Sequence, residues 1–190
     1  GDKMQTLTWK MRRQMKRELK LYDGKVDLEN AKAFYTDPEY IACVADILEH
    51  PVFLSMDNYI QHGTTTCKSH CIDVSYFAYN VAKAFGLDAR ACARAGLLHD
   101  LFLYDWHDYT KRTGNHFHGF THSRIALNNA TKHFHLNKME KDIILKHMWP
   151  LTIIPPRYKE GFVICYADKY CCTAEVFKRM SLKMRRALSA

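Results

Sequence analysis

Asp88-Ala89-Arg90-Ala91-Cys92-Ala93-Arg94-Ala95-Gly96-Leu97-Leu98-His99-Asp100 is the stretch on which the fold turns. It opens with a residue suited to cap a helix N-terminus, and it predicts a helix reaching at least Asp100. Ala89, Cys92, Ala95 and Gly96 are small enough to let a neighbouring helix approach closely. The stretch ends in an adjacent His and Asp, both drawn toward the core. Left unpaired there, such groups would cost several kcal/mol to desolvate. A metal ion would remove that difficulty for both side chains at once.

Working outward, residues Thr65 to Phe85 predict a long helix stopped by Gly86. His70 lies on one stripe of it with Val74, Phe77 and Val81, so it should face the core. Asp37-Pro38 starts an earlier helix running to about His50, because Asp caps and Pro suits the first helical position. Residues 4–21 form a basic amphipathic helix with Leu7, Met11, Met15 and Leu19 on one stripe. Downstream, an aromatic and polar loop is expected over 104–120, then a helix from Thr121 to Phe134. His122 opens that helix, with Ile125 and Asn129 on its side. Asn137-Lys138-Met139-Glu140 has the capping-box pattern, and the helix it opens places His147 on a stripe with Met139 and Ile143. After Pro155-Pro156, a last apolar helix from Lys159 to Phe177 carries Asp168, with a basic tail over 178–190. Strand signals are weak, and there is no repeat or linker. The chain is read as one all-α domain over 1–190, a compact bundle of roughly seven helices.

Composition narrows the function classes. The hydrophobic fraction of 47% and charged fraction of 25% are those of a globular domain. No apolar run approaches the roughly 18 residues of a membrane span, and the seven cysteines read as reduced thiols within apolar stretches. A cytoplasmic location is therefore expected. The net charge of +8 is not spread evenly. Residues 1–20 carry seven Lys/Arg against two acids and 178–186 carry five against none, which leaves the body slightly acidic. Basic ends can hold phosphate backbones, but solvated helix faces are the commoner case, so nucleic acid is not the expected partner.

Five predicted helices each present a His or Asp inward: His70, His99 with Asp100, His122, His147 and Asp168. A lone buried His is usually just hydrogen-bonded in the core. Several converging from different helices are how bundles build metal sites. This ordered set resembles the HD-domain superfamily of metal-dependent phosphohydrolases, whose pattern is a His on one helix, an adjacent His-Asp ending another, and an Asp on a late helix. Dinuclear members add two histidines between. The segments Ala95–Asp100 and Tyr166-Ala167-Asp168-Lys169 are especially similar to the family's motifs, and the likeness covers about 60–177.

The resemblance implies that His70, His99, Asp100 and Asp168 hold a first divalent ion, and that His122 and His147, with Asp100 bridging, hold a second. Mixed imidazole and carboxylate ligation suits Mn, Fe, Co, Ni or Zn, and Mg where waters complete the shell. The implied chemistry is hydrolysis of a phosphate ester by metal-activated water, with Asp100 as the central catalytic carboxylate. Two departures stand out. Some dinuclear relatives have paired histidines where this chain has His147-Met148, and some phosphodiesterase relatives have a Lys where it reads Leu101-Phe102-Leu103.

A small phosphorylated substrate, most simply a nucleotide, would be held by Lys111, Arg112 and His118 of the polar loop and by Arg124 and Lys169. Cys67 and Cys71 read as core residues, and His62 as a loop residue outside the ligand set. Two other readings share these ligands: a non-catalytic nucleotide- or partner-binding module, and a di-iron oxygenase.

Overall fold

A computed structural model of the protein describes residues 37–62, 65–104 and 118–188. The helix expected at 4–21 and most of the loop expected at 104–120 lie outside these residues. Among them are seven α-helices: α1 (Pro38–Leu48), α2 (Pro51–Leu54), α3 (Cys67–Ala84), α4 (Ala89–Leu98), α5 (His118–His133), α6 (Lys138–Lys146) and α7 (Lys159–Leu188).

Local chemistry sets the ends. Asp37 accepts from the backbone N–H of Glu39 and Tyr40 at 3.1 and 3.0 Å, with Pro38 in the first turn of α1. Tyr40, Val44 and Ile47 then form its buried stripe. Gly86, at φ +64°, closes α3 in a Schellman turn in which Leu87 N–H reaches Ala82 O at 2.9 Å. Asp88 caps α4 by accepting from Ala91 N–H at 2.8 Å. Asn137 and Glu140 exchange reciprocal 2.8 Å bonds in the expected capping box.

Helix α4 is the centre of the bundle, with every residue from Ala91 to Leu98 buried. Its small residues admit α3 closely: a Cβ at Gly96 would lie 2.6 Å from Ser75 Cα. Ser75 Oγ donates to Ala93 O at 2.6 Å and lies 2.8 Å from the Tyr40 hydroxyl, which ties α1 into the same contact. Arg94 also fixes α4 to its neighbours. Its guanidinium meets both oxygens of Asp46 on α1 at 2.5 and 2.9 Å, and its Nε lies 3.3 Å from Glu140 on α6. Helix α7 packs on α3 through the stacked rings of Phe77 and Tyr170, 5.1 Å between centroids.

Four expectations are corrected. Helix α4 stops at Leu98, so His99 caps it and Asp100 lies in the turn beyond. His99 keeps helical dihedrals, φ −61° and ψ −31°, so the helix frays over its last turn instead of breaking. Helix α5 begins at His118, three residues before Thr121. The glycine at 119 does not delay it, since one glycine costs a helix only about 1 kcal/mol. Helix α7 continues to Leu188, so the run 178–186 expected as a tail is helical. Apart from Ser181 that run is Lys, Arg, Met and Leu, all strong helix formers, with no Gly or Pro. Finally, Ile60–His62 and Thr65–Thr66 pair as a short antiparallel ribbon. Three and two residues are too few to display the alternation by which strands are read.

Candidate metal centre

The turn after α4 delivers His99 and Asp100 to the middle of the bundle, where α3, α5, α6 and α7 each add one side chain. His70 comes from α3, His122 from α5, His147 from the C-cap of α6, and Asp168 from α7. All six sequence-predicted ligand positions are buried, with relative exposures of 0% for His70 and His99, 3% for Asp100, 5% for His122, 1% for His147 and 8% for Asp168.

They meet as two clusters that share Asp100. On one side, His70 Nε2 lies 3.3 Å from Asp168 Oδ1, and His99 Nε2 lies 3.7 Å from the same oxygen and 3.5 Å from Asp100 Oδ2. On the other side, Asp100 Oδ1 lies 3.3 Å from His122 Nε2 and 3.5 Å from His147 Nε2, with the two imidazole nitrogens 2.9 Å apart. In the triads His70/His99/Asp100 and Asp100/His122/His147, the donor atoms all lie within 4.8 Å of one another.

The outer ring nitrogens explain why the inner ones point inward. His99 Nδ1–H donates to Gly96 O at 2.8 Å, and His147 Nδ1–H donates to Ile144 O at 2.9 Å. In the neutral ring, a proton fixed on Nδ1 leaves the lone pair on Nε2. His70 Nδ1 instead faces Glu175 Oε1 at 2.9 Å.

Electrostatics follow from this crowding. Burial would lower the pKa of His70, but the carboxylates of Asp168 and Glu175 outweigh it and hold it well above the usual histidine value. His99 is raised in the same way, burial being outweighed chiefly by Asp100. Burial pushes Asp100 upward, yet His99, His122 and His147 together hold it well below the ordinary carboxylate range. Asp168 is depressed likewise, with His70 and His99 overcoming its burial. His147 is lowered, mainly by burial.

The donor set fits a divalent cation. His99 Nε2 is buried and makes no hydrogen bond among the described residues, although its ring is locked with that nitrogen facing two carboxylates. Leaving such an atom unmet costs on the order of 1–3 kcal/mol, and a cation between it and the carboxylates answers the need. Imidazole and carboxylate donors together suit borderline divalent ions.

An all-helical domain that turns four imidazoles and two carboxylates onto one buried centre belongs to the class of helical metal-site proteins. A family model described as HD domain matches residues 68–171, more than half of the chain, and the chain belongs to that family. The match spans His70, His99-Asp100, His122, His147 and Asp168. HD-domain proteins are generally metal-dependent hydrolases. No curated protein and no solved structure matches the chain.

The expected substrate contacts are less gathered. Arg124 and Lys169 are exposed, two residues beyond His122 and one beyond Asp168. Lys169 Nζ donates to Cys165 O at 3.2 Å, one turn back along α7. The backbone of His118 begins α5, whereas its side chain lies outside the described residues, as do Lys111 and Arg112. His62 closes the first strand of the ribbon. Cys67 and Cys71 are buried core residues, and none of the seven cysteines forms a disulfide.

Sequence reasoning missed two neighbours of the centre. Cys172 brings Sγ to 3.5 Å from Asp168 Oδ1 and forms a third possible ligand group with His70 and Asp168. Glu175 lies behind His70. Both were in reach of one signal: positions four and seven beyond Asp168 share its face of a helix.

Proposed function

We propose that this protein hydrolyses a phosphate ester of a small phosphorylated substrate, a nucleotide being the simplest, using water activated by one or two divalent ions. The observation that carries the reading is the place of Asp100, whose two oxygens address separate imidazole clusters at 3.3–3.5 Å. A bound divalent ion supplies an acidified water as nucleophile and neutralises charge on the phosphoryl oxygens.

The chain's own residues prepare the rest. His99 and His147 are locked by backbone carbonyls into the tautomer that presents Nε2. The surrounding imidazoles keep Asp100 ionised despite its burial, so it is ready to bridge. His70, His99, Asp100 and Asp168 are the first ligand set; Asp100, His122 and His147 are the second. Arg124 and Lys169, with Lys111, Arg112 and His118, are the proposed phosphate-binding residues. Lys169 would leave its bond to Cys165 O to reach a phosphate.

The test is turnover by metal-stripped protein reloaded with Mn, Co, Zn or Mg, on a panel of phosphomonoesters, phosphodiesters and nucleotides. Turnover should require an ion and vanish in Asp100→Ala, while Arg124→Ala and Lys169→Ala raise KM more than they lower kcat. Protein that holds its ions and turns over nothing on the panel would contradict the proposal. Oxygen uptake by the iron-loaded form would replace it with oxygenase chemistry.

A further inference from the structure

We infer that Glu175 is a positioning residue for the first ion, holding His70 by its outer nitrogen so that Nε2 is the ligating atom. This rests on the metal-centre reading above and deepens it.

Helix α7 grips the His70 ring from both ends. Asp168 Oδ1 lies 3.3 Å from Nε2, and Glu175 Oε1 lies 2.9 Å from Nδ1, the two acids being two helical turns apart on one face. The ring is fully buried between them, and the Glu175 side chain is only 11% exposed. Glu175 Oε2 is itself buried and accepts no hydrogen bond among the described residues, so among them the carboxylate is held at His70 without a competing donor at its second oxygen.

The contrast with the neighbouring histidines gives this contact its meaning. His99 and His147 lean on backbone carbonyls, which fix a tautomer but add no charge. A carboxylate fixes the tautomer, strengthens the hydrogen bond through its charge and makes the far nitrogen a better donor to a cation. It also adds negative charge to the side of the centre that already holds Asp168. Glu175 should therefore strengthen the first ion and leave the ion at His122 and His147 alone.

The experiment compares wild type, Glu175→Gln and Glu175→Ala, all metal-stripped and titrated calorimetrically with Mn, with thermal unfolding of each metal-free form as the control for folding. Glu175→Ala should weaken one of the two binding events by about 10- to 100-fold and leave the other unchanged. Glu175→Gln should lose less, because its amide oxygen still accepts the Nδ1 proton. Long-range proton–nitrogen spectra of the zinc-loaded protein give a second readout that simple packing would not move. The His70 Nδ1 proton should be shifted downfield and slow to exchange in wild type and Glu175→Gln, and should move upfield or be lost to exchange in Glu175→Ala. Wild-type affinity and an unchanged His70 Nδ1 proton signal in both variants would overturn the inference while leaving the metal centre standing. Failure of wild type to bind any divalent ion would instead bring down the metal-centre reading, and this inference with it.

Discussion

Two buried polar clusters flank α4, and they solve the same problem in opposite ways. At Arg94 the chain supplies its own cation: one guanidinium, 3% exposed, pairs with Asp46, donates to Cys43 O at 3.1 Å and brings Nε to 3.3 Å from Glu140 Oε1, which accepts no hydrogen bond among the described residues. At Asp100 it turns four imidazoles on two carboxylates, and His99 Nε2 makes no hydrogen bond among the described residues. Burial alone therefore does not mark a functional site. A cluster centred on a guanidinium is a brace between helices, whereas imidazoles and carboxylates gathered on one point are the donor set that a divalent cation takes.

The largest expected effect breaks the brace. Arg94→Met would strand Glu140, whose side chain is only 2% exposed, and removal of one partner from a buried pair costs about 3–5 kcal/mol. Asp46 contributes less, because its side chain is 58% exposed and water can replace the cation. Thermal unfolding should show a large fall in Tm that added Mn does not cure, with the number of bound ions unchanged in the folded protein. Loss of the ions along with the stability would merge the two clusters into one functional unit.

Gly96 joins the two regions, lying between Arg94 and His99 on α4. A methyl group there would lie 2.6 Å from Ser75 Cα, which is backbone and cannot swing aside. Gly96→Ala should cost about 1–3 kcal/mol by overpacking and also weaken ion binding, since it pushes α3 and its His70 away from His99. Calorimetric titration beside thermal unfolding checks both. Wild-type ion affinity in a destabilised variant would show that the centre tolerates a shift of α3.

A smaller effect is the pH response, which should come from the Asp100 cluster. In the metal-free protein His70 and His99 are held well above their ordinary value. Their contribution to stability is present in full below the unfolded histidine value of about 6.5, and is lost as pH rises through the folded values. Asp100 and Asp168 are depressed, so theirs is present above about 3.9 and is lost as pH falls through the folded values. Ion binding must expel the protons on His70 and His99, so affinity should rise with pH and protons should appear in the buffer. Titration in two buffers of different ionisation enthalpy measures that release. Uptake of an ion with no release near neutral pH would contradict the proton assignment.

Much of the fold was legible because it rests on local chemistry. Asp37-Pro38, Gly86, Asp88 and Asn137–Glu140 each set a helix end through hydrogen bonds within a few residues, and each does so in the structure. The inward positions of His70, His99, Asp100, His122, His147 and Asp168 were legible for a related reason: helical spacing places them beside apolar neighbours. What distant contacts decide was not legible. Glu175 meets His70 across 105 positions of sequence, and Arg94 meets Asp46 across 48. An Arg in an alanine-rich helix reads as surface until its acids are known. The ribbon of Ile60–His62 and Thr65–Thr66 is too short to show a period. The reach of α7 was lost because a basic run looks like a tail when only its charge is weighed, and like a helix when its propensities are.

The central claim is that Asp100 joins two ion sites, and metal content tests it most directly. Wild type, Asp100→Ala and His147→Ala would be purified without chelator and their metals counted per chain. The account predicts about two ions in wild type, none in Asp100→Ala and one in His147→Ala. A wild-type protein that holds no divalent transition metal and takes up none when it is offered would contradict it.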